Sequence, residues 1–295
     1  MSLESPVIGY TLGDQAGIGP EIIRKALAQL PPGAEYRLVG AEITATPGKP
    51  DERTARAAME HLEMAAEALR TGSIDAVVTA PVCKEGLHAV GFEFPGQTEF
   101  FAARLGVGDN FAMCLTGRHL TVALGTIHEA LANVSQLLST AELVRIGRLL
   151  ADFLQRTGNA APRIAVAALN PHAGEGGAFG HEEIDTISPA VEELQRALPH
   201  CTVCGPCVPD CVYRDAVEGA YDAVLSPYHD QGLIPLKLVD FDNAVNVTLG
   251  LPRLRVSPDH GTAFNIAGKG IANPSSTIRA FELARKSVRG YPAGN

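Results

Sequence analysis

The stretch Pro6-Val7-Ile8-Gly9-Tyr10-Thr11-Leu12-Gly13-Asp14-Gln15-Ala16-Gly17-Ile18-Gly19-Pro20-Glu21 decides the fold class, because it passes directly from an apolar run through a glycine-rich turn into a helix start. Residues 6–12 read as a buried strand. Pro20 suits the first helical turn, where its missing N–H costs nothing. Amides at such a helix start can face an anion. The run is neither a GxGxxG dinucleotide fingerprint nor a P-loop. The same alternation continues along the chain. Strands are expected at 74–80, 111–115, 120–126, 163–169, 221–226, 244–249 and 254–257, and amphipathic helices at 53–70, 139–156, 182–198 and 275–289. Ser139-x-x-Glu142 reads as a capping box, and residues 44–51 as a loop rich in Pro and Gly. No internal repeat or long linker interrupts the pattern. The expectation is an α/β fold with a largely parallel sheet covered by helices on both faces.

Composition narrows the function. The 295 residues are 46% hydrophobic and 19% charged, which is ordinary globular material with an ample core. A net charge of −9 and a pI near 5.5 leave no basic field to displace counterions from nucleic acid. A few placed cations can still bind a small anion. No apolar run reaches the roughly 18 residues of a membrane span. Met1-Ser2-Leu3-Glu4-Ser5-Pro6 lacks the basic and apolar pattern of a secretory leader. A cytoplasmic protein with no membrane or nucleic-acid partner is expected.

In open α/β sheets ligands bind beyond the carboxyl ends of strands. Four of the nine histidines stand there: His128, His172 in Asn170-Pro171-His172, His229 in Tyr228-His229-Asp230, and His260 in Asp259-His260-Gly261-Thr262. A lone histidine in such a place caps or orders a loop. Three converging imidazoles would make a divalent-metal site with an open position for substrate. Spacing does not select which three.

Six cysteines divide into two groups. Cys83 and Cys114 lie in apolar runs and read as buried thiols. Cys201-x2-Cys204-x2-Cys207-x3-Cys211 has the spacing of a bacterial ferredoxin cluster run, although Val212 stands where proline is expected and no second run exists. The alternatives are an iron–sulfur or zinc-binding redox module and a thiol-rich strand and loop in a reducing compartment.

Five blocks carry a resemblance. GDQAGIGPEI at 13–22, TAPVCKEGL at 79–87, FPGQTEFFA at 94–102, LNPHAGEGGAFGHEEID at 169–185 and YHDQGLIPLKLVDFDNAVNVTLGLPRLRVSPDHGTAFNIAGKG at 228–270 resemble the 4-hydroxythreonine-4-phosphate dehydrogenase family. The run from His260 to Pro274 is in addition similar to the cofactor loop of isocitrate and isopropylmalate dehydrogenases. The resemblance implies an isocitrate/isopropylmalate dehydrogenase-like fold of two α/β subdomains, with the active site in the cleft between them. One family domain would span 1–295: about 1–115 plus 262–295 on the cofactor side, and about 116–261 on the metal and dimer side. The region 40–57 looks shorter than is usual for the family.

The resemblance also implies roles. His260, Gly261, Thr262, Ala263 and Asn273 would face NAD or NADP, which leaves His128, His172 and His229 to hold zinc, cobalt or magnesium. Gln97, Thr98, Lys237, Asn246 and Arg255 would line a small phosphorylated hydroxy acid. The chemistry of these side chains agrees, since Lys237 and Arg255 are cations suited to phosphate and carboxylate. Asp210, in Gly205-Pro206-x3-Asp210, and Asp230 would orient ligands or move protons. The implied reaction is NAD-linked, metal-assisted oxidation and decarboxylation of 4-phosphohydroxy-L-threonine, on the route to pyridoxal phosphate, by a homodimer whose subunits share the active site. The rival substrates are 4-phospho-D-erythronate, 4-phospho-D-threonate or a ring dihydrodiol, and the two cations favour the phosphorylated ones. Gln97 stands where the family's Gly-His-Thr-Glu has histidine, and a neutral amide gives weaker anion bonds than a charged imidazole.

Overall fold

A computed structural model describes residues 5–288. Its internal contacts divide the chain into two compact units, one ending at Asp109 and resuming at Val245, the other Asn110–Ala244. The first begins with β1 (Val7–Thr11), α1 (Gly19–Leu27), β2 (Glu35–Leu38), α2 (Glu52–Thr71), β3 (Ala76–Thr79), α3 (Lys84–Ala89) and α4 (Gln97–Arg104). β1 pairs in parallel with β2 and β3, with Ile8 opposite Ala76. All four residues of β3 are buried, as expected of a parallel strand covered on both faces. On α2, Leu62, Ala65 and Leu69 fall on one buried face at helical spacing, while Glu67 and Arg70 pair outside. Asp51 opens this helix. It accepts from Thr54 N at 2.9 Å while its own N–H donates to Thr54 Oγ1 at 3.2 Å. This is a complete capping box at the end of the expected loop.

The second unit contains β4 (Ala112–Thr116), β5 (Thr121–Leu124), α5 (Val134–Leu137), α6 (Thr140–Arg156), β6 (Arg163–Ala167), α7 (Ser188–Ala197), β7 (Thr202–Cys207), α8 (Pro209–Val217), β8 (Ala223–Ser226) and α9 (His229–Asp240). Its strand order is β4-β5-β8-β6-β7. Val122, Leu124, Ala165, Val224, Leu233 and Leu236 share its core. The expected capping box at α6 is half made: Ser139 accepts from Glu142 N, but the Glu142 carboxylate pairs with Arg145. The expected helix 182–198 opens as a π-turn over Glu183–Ile187 before α7 takes over.

The chain then returns to the first unit with β9 (Val245–Leu249), β10 (Leu254–Pro258) and α10 (Ser275–Val288). Residue 289 of the expected last helix lies outside the described residues. Order in this unit is β2-β1-β3-β10-β9, with β10 parallel to β3 and antiparallel to β9. The short links β4–β5 and β9–β10 account for the antiparallel pairs, because parallel neighbours need a long crossover. Pairing with β3 puts residues 245–261 in the first unit. No described helix is long and apolar enough to cross a membrane.

One buried carboxylate ties α9 to its unit. Asp240, at the helix end, accepts from His119 N at 2.8 Å, Leu120 N at 3.1 Å and His119 Nδ1 at 2.9 Å. A side chain at Gly117 would collide with it. Burial raises the Asp240 pKa, but the bonds from His119 and its neighbours outweigh burial and hold it below the ordinary carboxylate value. A depressed folded pKa gives stability that is full above the unfolded value near ~3.9 and is lost as pH falls through the folded one. Asp240→Asn should therefore lose about 2–3 kcal/mol at pH 7, read by urea unfolding. The deficit should shrink below about pH 4. A variant as stable as wild type at pH 7 would refute the anchor.

Candidate active site

Arg255, on β10, is the chemical centre of the first unit. Its side chain is buried, with 3% exposure. Nε and Nη2 donate to Thr79 Oγ1 at 3.1 and 2.9 Å, and Nη2 also donates to Gln97 Oε1 at 2.8 Å. Nη1 makes only long contacts, 3.5 Å to Asn246 Oδ1 and 3.4 Å to Thr248 Oγ1. Thr248 Oγ1 in turn lies 3.3 Å from Thr98 Oγ1. Four of the five expected substrate residues thus meet here: Gln97, Thr98, Asn246 and Arg255. Every hydrogen-bond partner of the guanidinium is neutral. Burial pushes its pKa down to about 9, with the Glu99 carboxylate opposing, so it remains a cation at neutral pH. A desolvated charge without a bonded counterion is expensive. An anion beside it would offset that expense. Gly96 caps α4 without a side chain, which leaves the first-turn amides at Gln97 and Thr98 uncapped by side chains.

The sequence reading missed Thr79 and Thr248, although Thr79 opens one of the quoted blocks. A threonine at a strand end has no signature of its own until the strand pairing brings an arginine across.

The loop after β10 packs on the glycine-rich turn. Ile18 N donates to Thr262 O at 2.9 Å, and a Cβ at Gly17 would sit 2.7 Å from the same oxygen. The turn's amides are consumed internally: Gly17 N bonds Asp14 O, and Ala16 N bonds Asp14 Oδ1. The turn therefore supports the loop rather than receiving an anion. That corrects the expectation for the start of α1. Lys25 holds Gly270 O and Ala272 O, both at 2.8 Å, and Asn273 Oδ1 accepts from Ser275 N and Oγ before α10. Ala263 has φ +43. Space beside Gly261 is open for 4 Å, and buried His260 Nε2 has no hydrogen-bond partner. A buried polar nitrogen left without a partner calls for an explanation, such as an absent ligand.

In the second unit, His229 and Asp230 open α9. The His229 and His128 rings lie 5.8 Å apart, and His229 Nδ1 is 2.7 Å from Asp230 Oδ1. That bond engages Nδ1 and leaves Nε2 as the other ring nitrogen. The junction before α9 is locked by Tyr213 OH against Ser226 Oγ at 2.8 Å and by Gln231 Nε2 donating to Ala168 O at 2.8 Å. Lys237 lies two turns along the same helix.

His172 stands apart from this pair. It lies in a left-handed run with φ of 52° at His172, 54° at Ala173 and 45° at Glu175. Each such non-glycine residue costs roughly 1–2 kcal/mol. Buried Glu183 compensates, accepting from Leu169 N and Asn170 N at 2.8 Å and from Asn170 Nδ2 at 3.0 Å. Burial raises the Glu183 pKa, and the Asn170 bonds outweigh it and hold the group ionised. Among the described residues no three His, Cys, Asp or Glu side chains form a ready metal site. Asp210 is exposed in the first turn of α8.

The cysteine run is spread by the sheet. Cys201 precedes β7, Cys204 and Cys207 lie on it, and Cys211 follows on α8. At about 3.3 Å per residue, Cys204 and Cys207 stand about 10 Å apart along the strand, with Cys201 before it and Cys211 beyond it on a helix. This spread does not gather the four thiols for one small cluster. All six thiols are free.

The architecture is an α/β fold of the isocitrate dehydrogenase kind. Isocitrate dehydrogenase from Methylococcus capsulatus shares the fold at TM-score 0.52 and 17% identity, over 96% of this chain and 88% of that one. The chain belongs to the family described as pyridoxal phosphate biosynthetic protein PdxA, which it matches over residues 20–284. It is 40% identical to 4-hydroxythreonine-4-phosphate dehydrogenase from Trichlorobacter lovleyi, covering 97% of this chain and 98% of that protein. The crystal structure of 4-hydroxythreonine-4-phosphate dehydrogenase from Klebsiella pneumoniae is similar at TM-score 0.82 and 35% identity, over 96% of this chain and all of that one. The family and fold read from the sequence blocks therefore hold across nearly the whole chain.

If Arg255 is kept for a ligand, its charge does little for folding. Arg255→Met should keep or raise the melting temperature while abolishing protection by phosphate, followed by differential scanning fluorimetry. A large fall in melting temperature, or unchanged phosphate protection, would show that the cation is structural.

Proposed function

We propose that the protein is a nicotinamide-dependent, divalent-metal-dependent dehydrogenase that oxidises and decarboxylates 4-phosphohydroxy-L-threonine in pyridoxal phosphate biosynthesis. The observation that carries the reading is the buried Arg255 guanidinium with neutral partners, in a chain of this family. When bound, the dinucleotide supplies the hydride acceptor and the metal a Lewis acid for the alcohol oxygen. Arg255, Thr98, Asn246 and Gln97 hold an anionic end of the substrate, and Lys237 supplies a second cation. His260, Gly261, Thr262, Ala263 and Asn273 hold the dinucleotide, a role supported by the orphaned His260 nitrogen and the open space at Gly261. His128 and His229 supply metal ligands, Asp230 orients His229, and His172 completes the set. Imidazoles suit zinc or cobalt better than magnesium. Asp230 and Asp210 are the groups we assign to proton movement. The phosphorylated substrate is preferred over an uncharged dihydrodiol because a buried cation gains nothing from a neutral diol. Six free thiols suit a reducing compartment, and we assign the enzyme to the cytoplasm.

An exposed apolar stripe at α9 supports a homodimer. Ile234, Leu238 and Phe241, spaced on one side, are 68%, 84% and 74% exposed on the helix that begins with His229. A second copy covering this stripe would sit beside the metal pair and bring a partner histidine to it. Leu238→Glu should yield monomers by sedimentation with weakened cobalt binding. A dimer that persists with this substitution would exclude α9 as the interface.

The reaction is tested by following NADH formation from 4-phosphohydroxy-L-threonine with wild type, chelated protein and His229→Ala. Turnover lost on chelation, restored by zinc or cobalt and absent in His229→Ala is expected. Undiminished turnover in the variant would reject the metal assignment, and none in the wild type would reject the substrate.

A further inference from the structure

The five donors of Arg255 are used unequally. Nε and Nη2 meet on a single acceptor, Thr79 Oγ1, at 3.1 and 2.9 Å, and Nη2 has a second short bond to Gln97. Both Nη1 contacts are long, 3.4 and 3.5 Å. Thr79 is fully buried and ends β3, which is hydrogen-bonded in register with β10: Arg255 lies opposite Val77. The hydroxyl is thus fixed by the sheet itself, and it grips one edge of a planar group whose fork geometry is rigid. The Phe101 ring, 5.7 Å from the guanidinium carbon, limits tilt. With one edge held, Nη1 on the other edge faces Asn246 and Thr248, and Thr248 in turn contacts Thr98.

From this we propose that Thr79 is a positioning residue, which clamps the Nε/Nη2 edge of Arg255 so that Nη1 is presented to a carboxylate or phosphate oxygen of the substrate. The inference rests on the anion-binding part of the proposed function. Nη1 exchanges two weak contacts for a charge-assisted bond when the anion arrives, which is a net gain. Thr79 itself need not touch the ligand. Without the hydroxyl, the guanidinium can rotate about its last side-chain bonds and lose the preorganised direction.

The test uses the full-length protein with inorganic phosphate as probe, by isothermal titration, and 4-phosphohydroxy-L-threonine for kinetics. Thr79→Val removes the acceptor at nearly constant volume and should weaken phosphate binding about tenfold or more. KM should rise by a similar factor, with kcat changed much less. Thr79→Ser keeps the hydroxyl and should restore binding to within about threefold. Should the valine variant fail to fold, Thr79→Ala carries the same expectation. Wild-type affinity in the valine variant overturns the proposal. So does a serine variant as weak as valine, which would assign the effect to methyl packing, and so does a wild type that does not bind phosphate. The titration is independent of turnover, so phosphate binding through Thr79 without NADH formation supports this inference while rejecting the proposed reaction.

Discussion

A guanidinium buried among neutral oxygens lies at the centre of the candidate site in the first unit. Arg255 reaches Thr79 on β3, Gln97 on α4, and Asn246 and Thr248 on β9, so one side chain binds three elements far apart in sequence. None of these partners carries charge. The arrangement satisfies hydrogen bonds without neutralising the cation, which is the basis of the anion site we propose. Helix α4, opened by a glycine with no side-chain cap, adds amide donors on the same side as Thr98.

The second unit solves a different problem, that of holding imidazoles still. Asp240 fixes the far end of α9, the Tyr213–Ser226 and Gln231–Ala168 bonds fix its near end, and Asp230 fixes the His229 ring. Glu183 does the same work for the strained run that carries His172. Buried carboxylates saturated by amide donors appear in both places, because a charge held by several fixed N–H groups resists rearrangement better than a surface pair does. Left-handed backbone at His172, Ala173 and Glu175 and the exposed apolar residues at α9 are the features of this unit that its own packing does not explain.

Much of this was legible in the sequence. Strand–turn–helix alternation gave the α/β class, and long motif blocks led to the family. Strand ends singled out four histidines, His128, His172, His229 and His260, of which the structure brings His128 and His229 together. Short, fully buried or half-exposed strands such as β2 and β7 escaped, because four to six residues carry too little periodicity to separate from loop. The cysteine spacing was ambiguous for the same reason: sequence intervals alone do not tell an extended strand, which disperses thiols, from a loop, which gathers them. Asp51 and Thr54 formed the capping box that Ser139 and Glu142 only half made, since Arg145 competes for Glu142. Thr79 and Thr248 were invisible because their role comes from cross-strand register, which has no local signature.

The central claim is that the Arg255 charge is held ready, by its inner edge, for the anion of the substrate. It is tested most directly by nitrogen-15 NMR of arginine-labelled protein during titration with 4-phosphohydroxy-L-threonine, with Arg255→Lys used to assign the guanidinium signals. The account predicts that the Nη1 resonance of Arg255 moves and sharpens into a slowly rotating group while Nε, already held by Thr79, stays in place. Arg255 signals that ignore the ligand, or an Nε resonance that moves as far as Nη1, would contradict it.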